Sequence, residues 1–373
     1  MKKLVPDYIE QLPLYPPGKP VDEVKREFGI DAIIKLASNE NSLGPSPKAL
    51  QALQAALADI HRYPDNGCYY LREKLARHCG IEQSQVLFGH GSNEIIQLIA
   101  LAFLTPEEEV ITSEQTFILY PIMSNARGAR VLEVPLKDFT YDLEAMAGQI
   151  TGKTKIIFIS NPNNPTGTMV DADAVRTFMQ RVPGDVLVVL DEAYGEYVAS
   201  PAYPDSLEYL RQGRNIIILR TFSKIYGLAG LRIGYALCPA QLVNYLERVR
   251  VPFNVNHLAQ VAALAALDDR AHVERSQDNN QAGLSYIYAE LKSMGLACIP
   301  THTNFLLVNL GTKAENVYQK LLREGVIIRS MASYGLDNYV RVTIGLPEEN
   351  ERFIRSLKKV LQAINKTQKT SIT

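Results

Sequence analysis

Apolar positions along the chain fall into blocks whose spacing switches between helical and strand-like periods. Leu50, Leu53, Leu57 and Ile60 recur at three- and four-residue intervals. They follow Ser46-Pro47, a Ser N-cap with Pro at the first helical position, and predict a helix that opens there. A second helix is predicted over Tyr69–Cys79, stopped by Gly80. Strands at 86–88, 109–112, 129–134 and 155–160 then alternate with helices at 93–104, 118–126 and 172–180. The runs 186–190 and 216–220 are almost wholly aliphatic, as expected of strands covered on both faces. The predicted fold is α/β, with a large domain over 46–250 built on a mostly parallel central sheet.

Beyond it, a helical stretch at 257–293 precedes short strands near 296–299, 305–310, 326–329 and 339–344. Helices at 313–324 and 348–365 are interspersed, which predicts a smaller α+β domain over 251–373 with a polar, frayed end from 365. Residues 1–45 carry Pro13, Pro16, Pro17 and Pro20 around Tyr15 and Gly18. Proline removes donors and fixes φ, so this segment reads as an extended arm lying against another surface.

Composition narrows the class. The chain has 373 residues, 46% apolar and 21% charged, with a formal net charge of −1. Such a balance provides no field to steer it toward nucleic acid or an anionic membrane. The basic start Met1-Lys2-Lys3 is followed by no apolar stretch, so no secretory signal is expected. The longest apolar run, 95–104, is interrupted by Gln97 and falls short of the ~20 residues that span a bilayer. Four cysteines and six histidines are scattered without metal-like pairing. Reduced thiols, a cytoplasmic location and no metal site are therefore expected.

Four features carry chemistry. The buried run 185–190 ends in Asp191-Glu192-Ala193-Tyr194, which sets a carboxylate at the carboxyl end of a strand, where open α/β sheets bind ligands. The next strand ends in Thr221-Phe222-Ser223-Lys224, followed by glycines and small apolar residues up to Arg232. Close backbone approach there desolvates the amine and lowers its pKa, as a nucleophilic lysine needs. Alone, such a lysine is a solvated charge and such an aspartate a turn cap. Consecutive strands bring the two toward one crevice. Upstream, 160–167 strings eight turn-forming residues, Asn164 among them, directly after a strand. Finally, Gly89-His90-Gly91-Ser92-Asn93 opens the Ile95 helix, and free N–H groups behind glycines make a phosphate site. Together these imply a cofactor with a phosphate, an aldehyde for lysine and a basic nitrogen for aspartate. Pyridoxal 5'-phosphate (PLP) has all three.

With these residues in hand, the chain resembles the fold-type I, aspartate-aminotransferase-like PLP enzymes, and among them the histidinol-phosphate aminotransferase family. Asn164-Pro165-Thr166-Gly167, Asp191 and Ser223-Lys224 carry the broader likeness. The Tyr15 arm, Asn39-Glu40-Asn41 and Arg62-Tyr63-Pro64-Asp65 carry the narrower one, and Val340-Arg341-Val342-Thr343 extends it toward the end of the chain. The resemblance implies that Lys224 forms the Schiff base and shuttles the proton, and that Asp191 pairs with the protonated ring nitrogen. It further implies Asn164 and Tyr194 on the cofactor's phenolic oxygen, and Ser92, Asn93, Thr221, Ser223 and Arg232 around its phosphate. Phe117 takes the stacking position where related sequences often have Tyr, which keeps the stack and drops a hydroxyl. Tyr63 would reach the cofactor phosphate of a neighbouring subunit in a homodimer with shared active sites.

For the substrate, the resemblance implies Arg341 as the fork for its anionic group, Arg329 as a second cation, and Tyr15 and Asn39 closing over it. The implied reaction is transamination of L-histidinol phosphate with 2-oxoglutarate, giving imidazole-acetol phosphate and glutamate. An aromatic amino acid (Phe/Tyr) aminotransferase and an amino-acid-phosphate decarboxylase use the same scaffold and are the competing activities. A PLP-binding regulator would need a basic helix-turn-helix before the large domain, for which the arm leaves no room.

Overall fold

The computed structural model of the chain describes residues 3–14 and 18–370. Strands β1 to β8 are Ile34–Lys35, Val86–Gly89, Glu109–Ser113, Arg130–Val134, Thr154–Ser160, Leu187–Asp191, Ile216–Thr221 and Gly234–Leu237. Strands β9 to β13 are Ala297–Ile299, Phe305–Asn309, Val326–Ile327, Arg329–Ser330 and Tyr339–Thr343. The larger sheet has the order β2-β8-β7-β6-β5-β3-β4. Its neighbours pair in parallel except β8, which runs antiparallel to both β2 and β7.

The aliphatic runs explain themselves in this sheet. Val188, Leu190, Ile216 and Ile218 enter the core on one face, while Leu187, Val189, Ile217 and Leu219 enter the core on the other. A strand buried on both sides has no position to give to a polar residue until it ends. Each such side chain contributes roughly 1.5–3 kcal/mol by leaving water. Polarity returns at the ends of β5, β6 and β7, with Ser160, Asp191 and the pair Arg220-Thr221. Ser160 lies opposite Asp191 in the register, so the ends line up side by side.

The second sheet, β12-β13-β10-β9, is antiparallel. Leu306, Val308, Val340, Val342 and Ile344 form a separate core with residues of the Arg270–Ser293 and Pro347–Thr370 helices. Arg341 and Thr343 project from the opposite face, as their alternation with those valines requires. Strand β1 pairs in parallel with β11, and the chain continues alongside, with Leu36 N–H donating to Ile327 O at 2.7 Å and Thr343 N–H donating to Leu36 O at 2.9 Å. That pairing draws residues 37–40 across the ends of the larger sheet.

Several elements differ from expectation. The expected extended arm contains two helices, Asp7–Glu10 and Val21–Phe28. Val21, Val24 and Phe28 share one face of the second, which begins after Pro20 and stops at Gly29, φ 66°. The predicted 257–293 helix is two, His257–Ala266 and Arg270–Ser293, because Asp269 caps the second by accepting from His272 N–H. Strand β8 and the Ala240–Glu247 helix were absent from the prediction. The 326–329 strand divides at Ile328 between two sheets. The last helix runs on to Thr370, past the expected frayed start at 365; from 348 onward no Gly or Pro interrupts it. Leu50, Leu57 and Ile60 are exposed rather than core. The Pro47–Ala56 helix ends before Leu57 and Ile60; it buries Ala49 and Ala56 and packs against the alanine-rich His257–Ala266 helix.

Candidate active site

The polar ends of β5, β6 and β7, the Ser92–Phe103 helix N-terminus, the 37–40 segment and β13 enclose a cavity of about 400 Å³. Lys224, Asp191, Tyr194, Asn164, Thr221 and Ser223 line it. So do Ser92, Asn93, Phe117 and Arg232 on one side, and Asn39, Arg329 and Arg341 on the other. One predicted residue is not brought there. Tyr63 lies in a separate hollow with Arg62, Asp65 and Tyr70, 84% exposed and stacked on Phe253 at 4.8 Å. Tyr15 lies outside the described residues.

Lys224 Nζ donates to Ser38 O at 3.1 Å and sits 5.5 Å from the centre of the Tyr194 ring. Burial, followed by the positive charge of Arg341, lowers its amine to about 7. A large fraction of that amine is therefore unprotonated near neutral pH, the form that attacks a carbonyl. Asp191 is buried at the other end of the floor, where loss of water pushes its carboxyl up to about 6. Two donors work against that shift: Tyr120 O–H to Oδ2 at 2.8 Å and Ala193 N–H to Oδ1 at 3.1 Å. The neighbouring carboxylate, Glu192, faces away and is held by Arg220 Nη2 at 2.8 Å. That buried pair ties the ends of β6 and β7 together.

Tyr194 accepts from Asn39 Nδ2 at 2.8 Å, and burial raises its phenol to about 12. It stays protonated at any working pH, a donor facing the cavity. Asn39 adopts φ 55°, a left-handed conformation that Asn tolerates. It is pinned there by its N–H to Thr343 Oγ1 at 2.9 Å and by Asn304 Nδ2 to its carbonyl at 3.1 Å. Arg341 donates through Nη1 to Asn164 Oδ1 and through Nη2 to Ala37 O at 2.7 Å. The loop bearing Asn164 is clipped shut by Asn161, whose amide bonds Val170 O at 3.0 Å and Val170 N–H at 2.9 Å.

At the helix mouth Gly91 has φ 77°, and a Cβ there would lie 2.5 Å from Arg232 Nη2. A Cβ on Gly234 would lie 2.6 Å from Ser92 N. Arg232 Nη1 donates to Ala229 O at 3.0 Å and to Ser223 Oγ at 3.4 Å. The result is a cradle of N–H, hydroxyl and guanidinium donors, kept open because two glycines have no side chain, and suited to a phosphate.

The profile of the class I and II aminotransferases matches residues 31–357. The chain belongs to that family. Among its relatives, the histidinol-phosphate aminotransferase of Moorella thermoacetica is 50% identical over 348 residues, 93% of this chain and 90% of that protein. Histidinol-phosphate aminotransferase 2 of Pseudomonas aeruginosa is 50% identical over 355 residues, covering 95% and 96%. Among solved structures, the histidinol-phosphate aminotransferase of Sinorhizobium meliloti in complex with pyridoxal-5'-phosphate is 28% identical, with a TM-score of 0.90 over 98% of this chain and 99% of that one. The fold is the aspartate-aminotransferase-like, fold-type I α/β architecture.

For an aminotransferase of this fold, the donor set fits PLP: the cradle for its phosphate, Asp191 for its ring nitrogen and Lys224 for its aldehyde. Sequence reading missed Tyr120 behind Asp191, as well as Ser38, Glu40 and Tyr334 in the lining. Tyr120 follows Phe117 by three residues, helical spacing that would have placed both on one face. Ser38 acts through its backbone carbonyl, which no residue type announces. Among the described residues no group of His, Cys, Asp or Glu could hold a metal ion, and no helix is long and apolar enough to cross a membrane.

Proposed function

We propose that the enzyme transfers the amino group of L-histidinol phosphate to 2-oxoglutarate, giving imidazole-acetol phosphate and glutamate in histidine biosynthesis, with PLP as cofactor. The observation that carries this reading is a cavity uniting a desolvated lysine, a buried carboxylate and an anion cradle, in a chain half identical to histidinol-phosphate aminotransferases. When bound, PLP supplies an electron-poor ring that takes up the electron pair of the substrate's broken Cα–H bond and carries the amino group between substrates.

The chain's own residues do the rest. Lys224 Nζ would hold the cofactor through its aldehyde and, once displaced by the substrate's amine, would take the Cα proton and return it two bonds away, at the cofactor's aldehyde carbon. A lysine pKa near 7 suits both directions of that transfer. Asp191 keeps a proton on the ring nitrogen by facing it with negative charge. Tyr194 and Asn164 direct hydrogen bonds at the phenolic oxygen, and Phe117 stacks on the ring. Ser92, Asn93, Thr221, Ser223 and Arg232 hold the phosphate. Arg341 and Arg329 take the substrate's phosphate in one half-reaction and a carboxylate of 2-oxoglutarate in the other, while Asn39 and Tyr15 close over the bound substrate.

The active unit in this reading is a homodimer, with Tyr63 entering the neighbouring cavity. Support comes from Leu50, Leu57, Ile60, Tyr63 and Tyr70, large side chains left exposed near one another in sequence or in the same hollow, and from Phe253, exposed and stacked on Tyr63. Four free cysteines, three of them buried, support a cytoplasmic location. The separate cores of the two sheets support a large and a small domain. Val255, Ala259, Ala262, Ala263 and Ala266 pack in the larger sheet's core and Leu36 in the smaller one's. The expected bounds of 1–45, 46–250 and 251–373 therefore shift, the large domain reaching past 250 to the end of the His257–Ala266 helix.

The test is a half-reaction without 2-oxoglutarate, followed by the cofactor's absorption. Rapid conversion to the pyridoxamine form by histidinol phosphate, with phenylalanine much slower, is expected. Equal or faster conversion by phenylalanine would move the enzyme to the aromatic aminotransferases. Release of carbon dioxide from an amino-acid phosphate would move it to the decarboxylases.

A further inference from the structure

Tyr120 does not line the cavity, yet its phenol is bonded to the carboxylate on the cavity floor. Asp191 receives one donor on each oxygen, Tyr120 O–H on Oδ2 and the Ala193 N–H on Oδ1. Donors on both oxygens set the tilt of the carboxyl plane as well as its charge. The Tyr120 ring cannot swing away. It is fully buried, stacked on Phe158 at 4.8 Å with 6° between the planes, and met edge-on by Phe117 at 5.6 Å. Phe117 itself lines the cavity, so one aromatic run joins the face of the ligand site to the acid beneath it.

We propose that Tyr120 is a positioning residue for the cofactor: its O–H, locked by the Phe117 and Phe158 rings, keeps Asp191 ionised and turned toward the cofactor's ring nitrogen. This rests on the PLP reading above. The titratable groups around Asp191 are Tyr120 and Tyr141 from the preceding segments, Glu192, Tyr194 and Tyr203 from the chain after β6, and Lys224 beyond β7. Glu192 is neutralised by Arg220, and Tyr141 bonds Thr116 and the Ser160 N–H instead. Among these influences the Tyr120 hydrogen bond is the largest that favours the charged carboxylate.

The variant Tyr120→Phe keeps the stacked ring and removes the O–H. Two readouts test it beyond activity: the dissociation constant for PLP, and the pH midpoint at which the bound cofactor's visible absorption changes. Affinity is expected to weaken roughly tenfold, the loss of one hydrogen bond to a charged group. The midpoint is expected to move up, because a ring nitrogen that is less often protonated withdraws fewer electrons from Lys224 Nζ, which then keeps its proton to higher pH. Tyr141→Phe is the control, removing another buried phenol O–H, one that is not bonded to Asp191. Its midpoint should stay at the wild-type value.

Equal shifts in both variants would reduce the effect to packing and overturn the proposal. Wild-type affinity and midpoint in Tyr120→Phe would overturn it alone. A wild-type chain that takes up no PLP would overturn the cofactor reading along with it.

Discussion

Replacing Gly91 by alanine tests the anion cradle through one carbon atom. Gly91 has φ 77° and ψ 166°, a region open at low cost to glycine alone. Forcing alanine into it costs of order 1–3 kcal/mol. The new Cβ would lie 2.5 Å from Arg232 Nη2 and 3.2 Å from its Cζ. That obstacle is the end of a flexible side chain, so the guanidinium yields by leaving Ala229 O and Ser223 Oγ, the partners that aim it into the cavity. Losing one charge-assisted contact to the cofactor phosphate costs about 1.5–3 kcal/mol, roughly ten- to hundredfold in affinity. The two costs appear in different measurements. Urea denaturation of the PLP-free protein reads the backbone strain, and equilibrium dialysis reads the loss of affinity. Gly148→Ala, at a helical position where a Cβ meets nothing within 4 Å, should leave PLP affinity unchanged and raise stability slightly, the opposite sign to Gly91→Ala. A Gly91→Ala protein with wild-type stability and wild-type PLP affinity would refute the reasoning that an empty Cβ position shapes this site.

The other predictions use the charges around Lys224 and the exposed face. Lys224→Ala abolishes covalent attachment of PLP; measured without PLP, it should also be more stable than wild type near neutral pH. The folded amine titrates near 7 and the unfolded one near 10.5, so the unfolded chain binds more protons in that window. Wild-type stability must therefore rise with pH from about 7 toward 10.5 and close the gap, as denaturation across that range would show. Arg341→Gln should raise KM for the phosphorylated substrate roughly tenfold or more, with a smaller effect on kcat. It also removes the charge that, after burial, most lowers Lys224, so the pH dependence of PLP uptake should shift upward. If the proposed homodimer forms, Tyr63→Phe should weaken PLP binding in it, and dilution below its dissociation constant should erase the difference from wild type.

Much of the site was legible because β5, β6 and β7 are buried on both faces. In such strands the polar residues that close an aliphatic run mark its end, as Ser160, Asp191 and the pair Arg220-Thr221 do. The glycines before Ser92 were equally readable, since the chain there needs conformations and closeness that other residues resist. Tyr120 escaped because a tyrosine among Ile, Leu and Pro reads as core. Its hydroxyl matters through a strand 71 residues away. Strand β8, Gly234–Leu237, was missed because it opens on a glycine, which reads as a turn or loop residue.

The sequence by itself determined the alternation of strands and helices, the residue types able to hold PLP, and the face of β13 that carries Arg341. Each follows from local periodicity or from the chemistry of one side chain. Tertiary structure decided what those residues meet. It drew the 37–40 segment over the cavity by pairing β1 with β11, nearly three hundred residues apart. It also set Arg341 against Asn164 and near enough to Lys224 to lower the amine. Burial and through-space charge depend on packing between distant segments, and no local pattern in the chain encodes a distance.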